Sequence, residues 1–183
     1  MKIQKFAVVI SSLFLYGCAA PSPPPPPALP IAGTEKPISL TMADLMVLDQ
    51  MNRYSAWMVS LGTLVATHSN QPVVLAYGTR LVTDYKNQQD SFKKVSQKHL
   101  IALTDALSDS QVKKLSSLSR LYGRSFDRAF MRETVKKLPV TILELQENSQ
   151  KVNFSKDIKA LWDGFMITAG RFQKQSHDLL TSE

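Results

Sequence analysis

The side chains with the means to do chemistry are few: one cysteine, Cys18, three histidines, His68, His99 and His177, and 15 acidic residues scattered along the chain. A two-metal centre in a helical bundle takes Glu from two helices and Glu-x-x-His pairs from two more, because residues three apart project together into the core. No Glu-x-x-His occurs, and no two histidines have metal-ligand spacing. All three histidines fall at expected helix ends or among polar neighbours and read as surface residues. Glu133, Glu144, Glu147, Asp157 and Asp163 are the acids left to a metal. Glu144 and Glu147 share a face but miss the apolar seam, which makes solvated acids the simpler reading. There is no glycine-rich phosphate loop, no Gly-x-Ser-x-Gly elbow and no nucleic-acid motif. Tyr85 and Gln88, one turn apart, are polar residues on an apolar seam and are expected to make buried hydrogen bonds. No catalytic residue is assigned, and no metal is expected.

Cys18 remains. Lys2 and Lys5 precede a run from Phe6 to Leu15 that is apolar apart from Ser11 and Ser12, the charged-then-apolar order of a secretory signal. Only about 15 residues could lie in hydrocarbon, against roughly 20 for a spanning helix, so a cleaved leader is expected over residues 1–17. The run ends in Leu15-Tyr16-Gly17-Cys18, which resembles the bacterial lipobox, with Tyr16 bulkier than usual. Alkylation of the thiol by a diacylglycerol, then cleavage between the small Gly17 and Cys18, leaves a covalent lipid on Cys18 as the only attached group. Two or more acyl chains hold a membrane stably where one does not. An ordinary secretory signal would leave this sole cysteine without a disulfide partner in an oxidising compartment. Ala19, where an Asp would imply inner-membrane retention, points by the same resemblance to the outer membrane, facing the periplasm.

Eight of the ten prolines precede Thr41, among them the run Pro23–Pro27. Each ring fixes φ and removes a donor, so residues 18–40 read as a stiff polyproline tether. A ligand for an aromatic-groove domain is the competing reading. The domain is placed at residues 41–183, long enough to bury roughly two thirds of its unfolded surface without a staple. The chain's net charge of +7 is modest. Its adjacent lysine pairs read as solvated helix faces, with weak attraction to anionic head groups as the functional alternative.

The elements that must position any site are helices. Thr41 with Asp44 marks a cap, and Val47, Met51, Tyr54, Met58, Leu61 and Val65 follow at steps of three and four. Pro72 opens a second helix with Val74, Gly78, Leu81, Tyr85, Gln88, Phe92 and Val95 on its seam, fraying around His99 to Asp105. Ser108 and Gln111 box a short helix that Gly123 is expected to close. A long helix then carries Met131, Val135, Leu138, Ile142 and Leu145, kinked at Pro139. A last one opens at Ser155 with Ile158, Leu161, Phe165, Thr168, Phe172 and Leu179. Nothing alternates with period two. The expected fold is all-α: an antiparallel four-helix (ferritin-like) bundle with an extra short helix.

Two stretches carry a family resemblance: Ser125-Phe126-Asp127-Arg128-Ala129-Phe130-Met131, and Val74 to Tyr85 with its Thr83-Asp84-Tyr85 end. They are similar to motifs of the domain of unknown function 4142 family, exported bacterial proteins with a ferritin-like bundle, and the likeness runs from about Asp44 to Leu180. The resemblance implies a Glu in the first helix and a His in three later ones, at positions that here hold Met58, Tyr85, Leu138 and Phe172. All four lie on inward seams, so the family's polar centre reads as replaced by packing. The functional expectation is a noncatalytic, lipid-anchored envelope module acting on a protein partner. The alternatives are a ferritin-like metal-binding or redox protein using the acids above, and a small-molecule or lipid carrier with Met42, Met46, Trp57 and Trp162 along a groove.

Overall fold

The computed structural model describes residues 40–136, 143 and 153–181. Helix α1 spans Met42–His68 behind a reciprocal cap. The Thr41 hydroxyl accepts the Asp44 amide (3.1 Å), and the Asp44 carboxylate accepts the Thr41 amide (2.9 Å). Both are amide donors that the first turn would otherwise leave unpaired. Pro72, whose missing N–H costs nothing at a first helical position, starts α2, Pro72–Lys98. Leu100 at φ +56° turns the chain away. Ser108 and Gln111 form the second capping box, at the head of α3, Asp109–Leu118. Helices α4, Gly123–Val135, and α5, Lys156–Thr181, follow, and no strand occurs among the described residues.

Helix α1 packs most extensively on α2, across the three-residue turn Ser69–Gln71 that makes them antiparallel. Two glycines permit the close approach. A Cβ on Gly78 would lie 2.7 Å from Val65, and one on Gly62 would lie 2.8 Å from Val82. Tyr77, Asp84, Gln88 and Lys98 of α2 meet Phe172, Arg171, Gly164 and Asp157 of α5 in descending order, so these helices are also antiparallel. His68 stacks near Phe126 at one end of α4, while Tyr54 shares a cavity with Glu133 at the other, which sets α4 antiparallel to α1. Helices α2 and α4 therefore run the same way, and the segment 99–122, with α3 inside it, is the long crossover that this topology requires.

Several local expectations need correction. Gly123 does not close α3: at φ +54° it opens α4, while α3 ends at Leu118 with Ser119 as its cap. The long helix stops at Val135, and Lys136 is extended (φ −52°, ψ 143°) instead of continuing toward a kink at Pro139. A proline at 139 has no N–H to give the Val135 carbonyl and its ring would crowd that oxygen, which disfavours helix beyond Val135; Pro139 itself lies outside the described residues. Leu138, Ile142, Glu144, Leu145 and Glu147 lie outside the described residues. On α5 the buried line is Ile158, Trp162, Phe165, Ala169, Phe172 and Ser176, with Leu161 and Thr168 on its shoulders. On α2 the buried glutamine is Gln89, not Gln88.

Candidate functional site

The expected centre is assembled from α1, α2 and α5. Met58, Tyr85 and Phe172 are 3%, 0% and 2% exposed and belong to one buried cluster. The rings of Tyr85 and Phe172 stack with centroids 5.7 Å apart. Around them Tyr54 sets its ring edge-on to Tyr85 (5.9 Å) and to Phe165 (5.6 Å), and Tyr77 does the same to Phe172 (5.5 Å) and Phe130 (5.9 Å). Such edge-to-face contacts place ring hydrogens on π faces and add stabilisation beyond burial. The fourth position, Leu138, is outside the described residues.

The phenols in this cluster are satisfied. Tyr77 donates to the Phe172 carbonyl at 3.2 Å, and Tyr54 and Tyr85 hydrogen-bond to each other. Burial lifts all three above the ordinary phenol value, since the apolar surroundings penalise a phenolate. Gln88, the other polar residue singled out on the α2 seam, gives its amide to the Gly164 carbonyl at 3.3 Å, and among the described residues its own oxygen has no partner. A thioether, a phenyl ring and a neutral phenol already engaged do not make the donor set of a two-metal centre, which draws on carboxylates and imidazoles. Among the described residues no three His, Cys, Asp or Glu side chains are grouped to hold a metal ion.

The histidines are less exposed than their positions suggest. His68 stacks on Tyr122 (4.8 Å, 13°), and its ring nitrogens lie 2.8 Å from the Leu64 carbonyl and 3.1 Å from that of Ser119, tying the end of α1 to the crossover. The His99 side chain is 5% exposed, with Nε2 3.9 Å from the Asp157 carboxylate. Only His177 is a surface histidine, 67% exposed. His68 and His99 deviate because the crossover folds back over helix ends that look open in the sequence.

Glu133 is likewise no solvated acid. It is 7% exposed and held by Lys114 and Lys136, each at 2.7 Å. Burial pushes its carboxyl up, but the hydrogen bonds and charges of the two ammoniums outweigh this and hold it below the ordinary value. Asp157 pairs with Lys98 and Asp163 with Lys159, both near the surface. Asp127, inside the Phe-Asp-Arg motif, is 1% exposed, and among the described residues neither oxygen finds a hydrogen-bond donor. The motif could have drawn attention to it, since a charge so placed is costly.

The expected groove does not form as drawn. Met42 and Met46 are exposed, whereas Trp162 is buried between Phe154 and Phe165. Trp57 instead borders a cavity of about 380 Å³, between α1, the start of α3 and the end of α4, which also takes in Tyr54, Met58, Glu133 and Lys136.

Fold and centre together define a ferritin-like helical bundle whose middle is filled by aromatic and apolar side chains. The chain belongs to the family described as domain of unknown function (DUF4142), whose family model matches residues 30–167, more than half of the sequence. That match takes in both quoted stretches and the positions of Met58, Tyr85 and Leu138, and ends before Phe172. No curated protein and no solved structure matches the chain.

Proposed function

We propose that this protein is an envelope lipoprotein, held by acyl chains on Cys18 and a proline tether, whose bundle works through contacts with a protein partner and carries out no catalysis. The observation that supports this most is the centre. Where a functional bundle of this topology sets polar ligands, Met58, Tyr85 and Phe172 are packed and hydrogen-bonded into the core. A scaffold relieved of its site still presents helix faces, and fold alone imposes no activity. Met42 and Met46, one turn apart on α1 and 72% and 56% exposed, are apolar surface of the kind a partner covers. No described helix is long and apolar enough to cross a membrane.

Two measurements on the full chain test the reading. Cys18→Ser should move the protein from the membrane fraction to the soluble one, and retention through a high-salt wash would refute the anchor. Protein purified without chelators and offered iron, zinc and manganese should stay metal-free by mass spectrometry. Stoichiometric metal would put the ferritin-like metal-binding or redox function first.

A further inference from the structure

We propose that the cavity beside Trp57 binds a small anion with a flat apolar body, of the class of an aromatic carboxylate. This site goes beyond the envelope-module reading and does not depend on the lipid anchor.

Helix α1 offers one continuous face to the cavity, Arg53, Tyr54, Trp57 and Met58, at the spacing that puts helix residues side by side. Its floor is fixed by the core. Tyr54, Trp57 and Met58 are 6%, 9% and 3% exposed, and Tyr54 is clamped edge-on between Tyr85 and Phe165. Two rings and a thioether held in place form a preorganised bed for a planar apolar group. The volume, about 380 Å³, falls in the range of small-molecule sites, which pair such a bed with a few polar groups. Here the hydroxyls of Ser108 and Ser110, 2.9 Å apart at the head of α3, supply the polar wall.

Charge selects the ligand's sign. Among the described residues, the ionic groups lining the cavity are Arg53 and Lys136 against Glu133. The two oxygens of Glu133 are taken by Lys114 and Lys136, so this carboxylate is not free to receive a cation. Arg53 gives its Nε proton to Asp49 at 2.7 Å, but a guanidinium carries five N–H donors. A carboxylate at the rim meets the remaining donors of Arg53 and the Lys136 ammonium, while its ring lies over Trp57 and Met58.

The test uses the full chain in detergent micelles and three probes of one shape: 2-naphthoate, 2-naphthylmethylammonium and 2-naphthalenemethanol. Equilibrium dialysis against protein-free micelles removes partitioning. Naphthoate should bind about tenfold or more tighter than the ammonium. Arg53→Gln, at a half-exposed position that the fold tolerates, should weaken naphthoate about fivefold and leave the alcohol unchanged. Ser110→Trp, which fills the cavity from its exposed lip, should abolish binding of both while circular dichroism stays native. The proposal is overturned if no probe binds above the micelle blank, if the ammonium binds as well as naphthoate, or if Ser110→Trp leaves binding intact.

Discussion

Alkaline pH should unfold this protein through its own tyrosines. Tyr54, Tyr77 and Tyr85 are 6%, 6% and 0% exposed, and burial lifts each phenol above its ordinary value of 10.0. In the unfolded chain all three ionise near that value, whereas in the native state they keep their protons. The unfolded state therefore binds fewer protons above pH 10, so stability is full below it and is lost as pH climbs toward the raised native values. At about pH 11 the phenols of Tyr54 and Tyr85 each cost ~1.4 kcal/mol, ~2.7 kcal/mol together, with Tyr77 adding in the same direction, a large share of the 5–15 kcal/mol typical of a domain. Tyr54→Phe/Tyr85→Phe removes two of the three. Because these phenols bond to each other, deleting both leaves no orphaned hydroxyl, and the double variant should match the wild type within ~1 kcal/mol at about pH 8. At about pH 11 it should have lost ~2.7 kcal/mol less than the wild type. Urea titrations at the two pH values give the numbers, and phenolate absorbance reports whether ionisation coincides with unfolding. Equal losses in both proteins would mean that water reaches the phenols in the folded state, and the sealed centre would be wrong.

Two further substitutions probe the frame. Gly78→Ala would set a methyl 2.7–2.8 Å from three atoms of the rigid, buried Val65, so it should cost ~1–3 kcal/mol despite alanine's better helix propensity. Gly164→Ala and Gly170→Ala, with nothing within 4 Å of the new Cβ, should instead gain ~0.5–1 kcal/mol each. Thermal melts of the three decide it, and a shared sign would contradict the α1–α2 approach. Asp44→Asn should cost ~1–3 kcal/mol by denaturant titration, since Asp44 serves Thr41 with one oxygen and the Ser155 amide (3.0 Å) with the other. A neutral result would separate the starts of α1 and α5.

The helices were legible because their ends and faces are written locally. Thr41 with Asp44, Ser108 with Gln111 and Pro72 each satisfy or dispense with first-turn donors, and every seam residue read on α1 is buried. What failed depends on contacts distant in sequence. A glycine such as Gly123 closes one helix or opens the next according to how the crossover packs. The burial of His68, His99 and Glu133 comes from that crossover and from α5 folding over them. The α5 seam slipped by one residue because Leu161 and Trp162 are both apolar, and only the partner helices select between them. The cavity beside Trp57 was illegible for the same reason: its walls come from three separate stretches, within residues 50–58, 106–111 and 133–136.

The distribution of polarity shows what fixes the helices when the middle of the bundle is apolar. Buried acids with partners sit at helix ends: Asp44 joins the starts of α1 and α5, and Glu133 joins α3 to the end of α4 through two lysines. Around Met58 and Phe172 the polar groups are the phenols of Tyr54, Tyr77 and Tyr85, which hydrogen-bond without carrying charge, while the nearby buried amides of Asn52 and Gln89 are tied to Asp105 in the crossover. Polar specificity at the ends fixes helix register, while the middle contributes burial alone. In that arrangement the register does not depend on a charged centre in the middle, which is left to supply burial. The buried apolar side chains of Met58 and Phe172 carry no polar group that needs a partner, so they fill the middle without a desolvation cost.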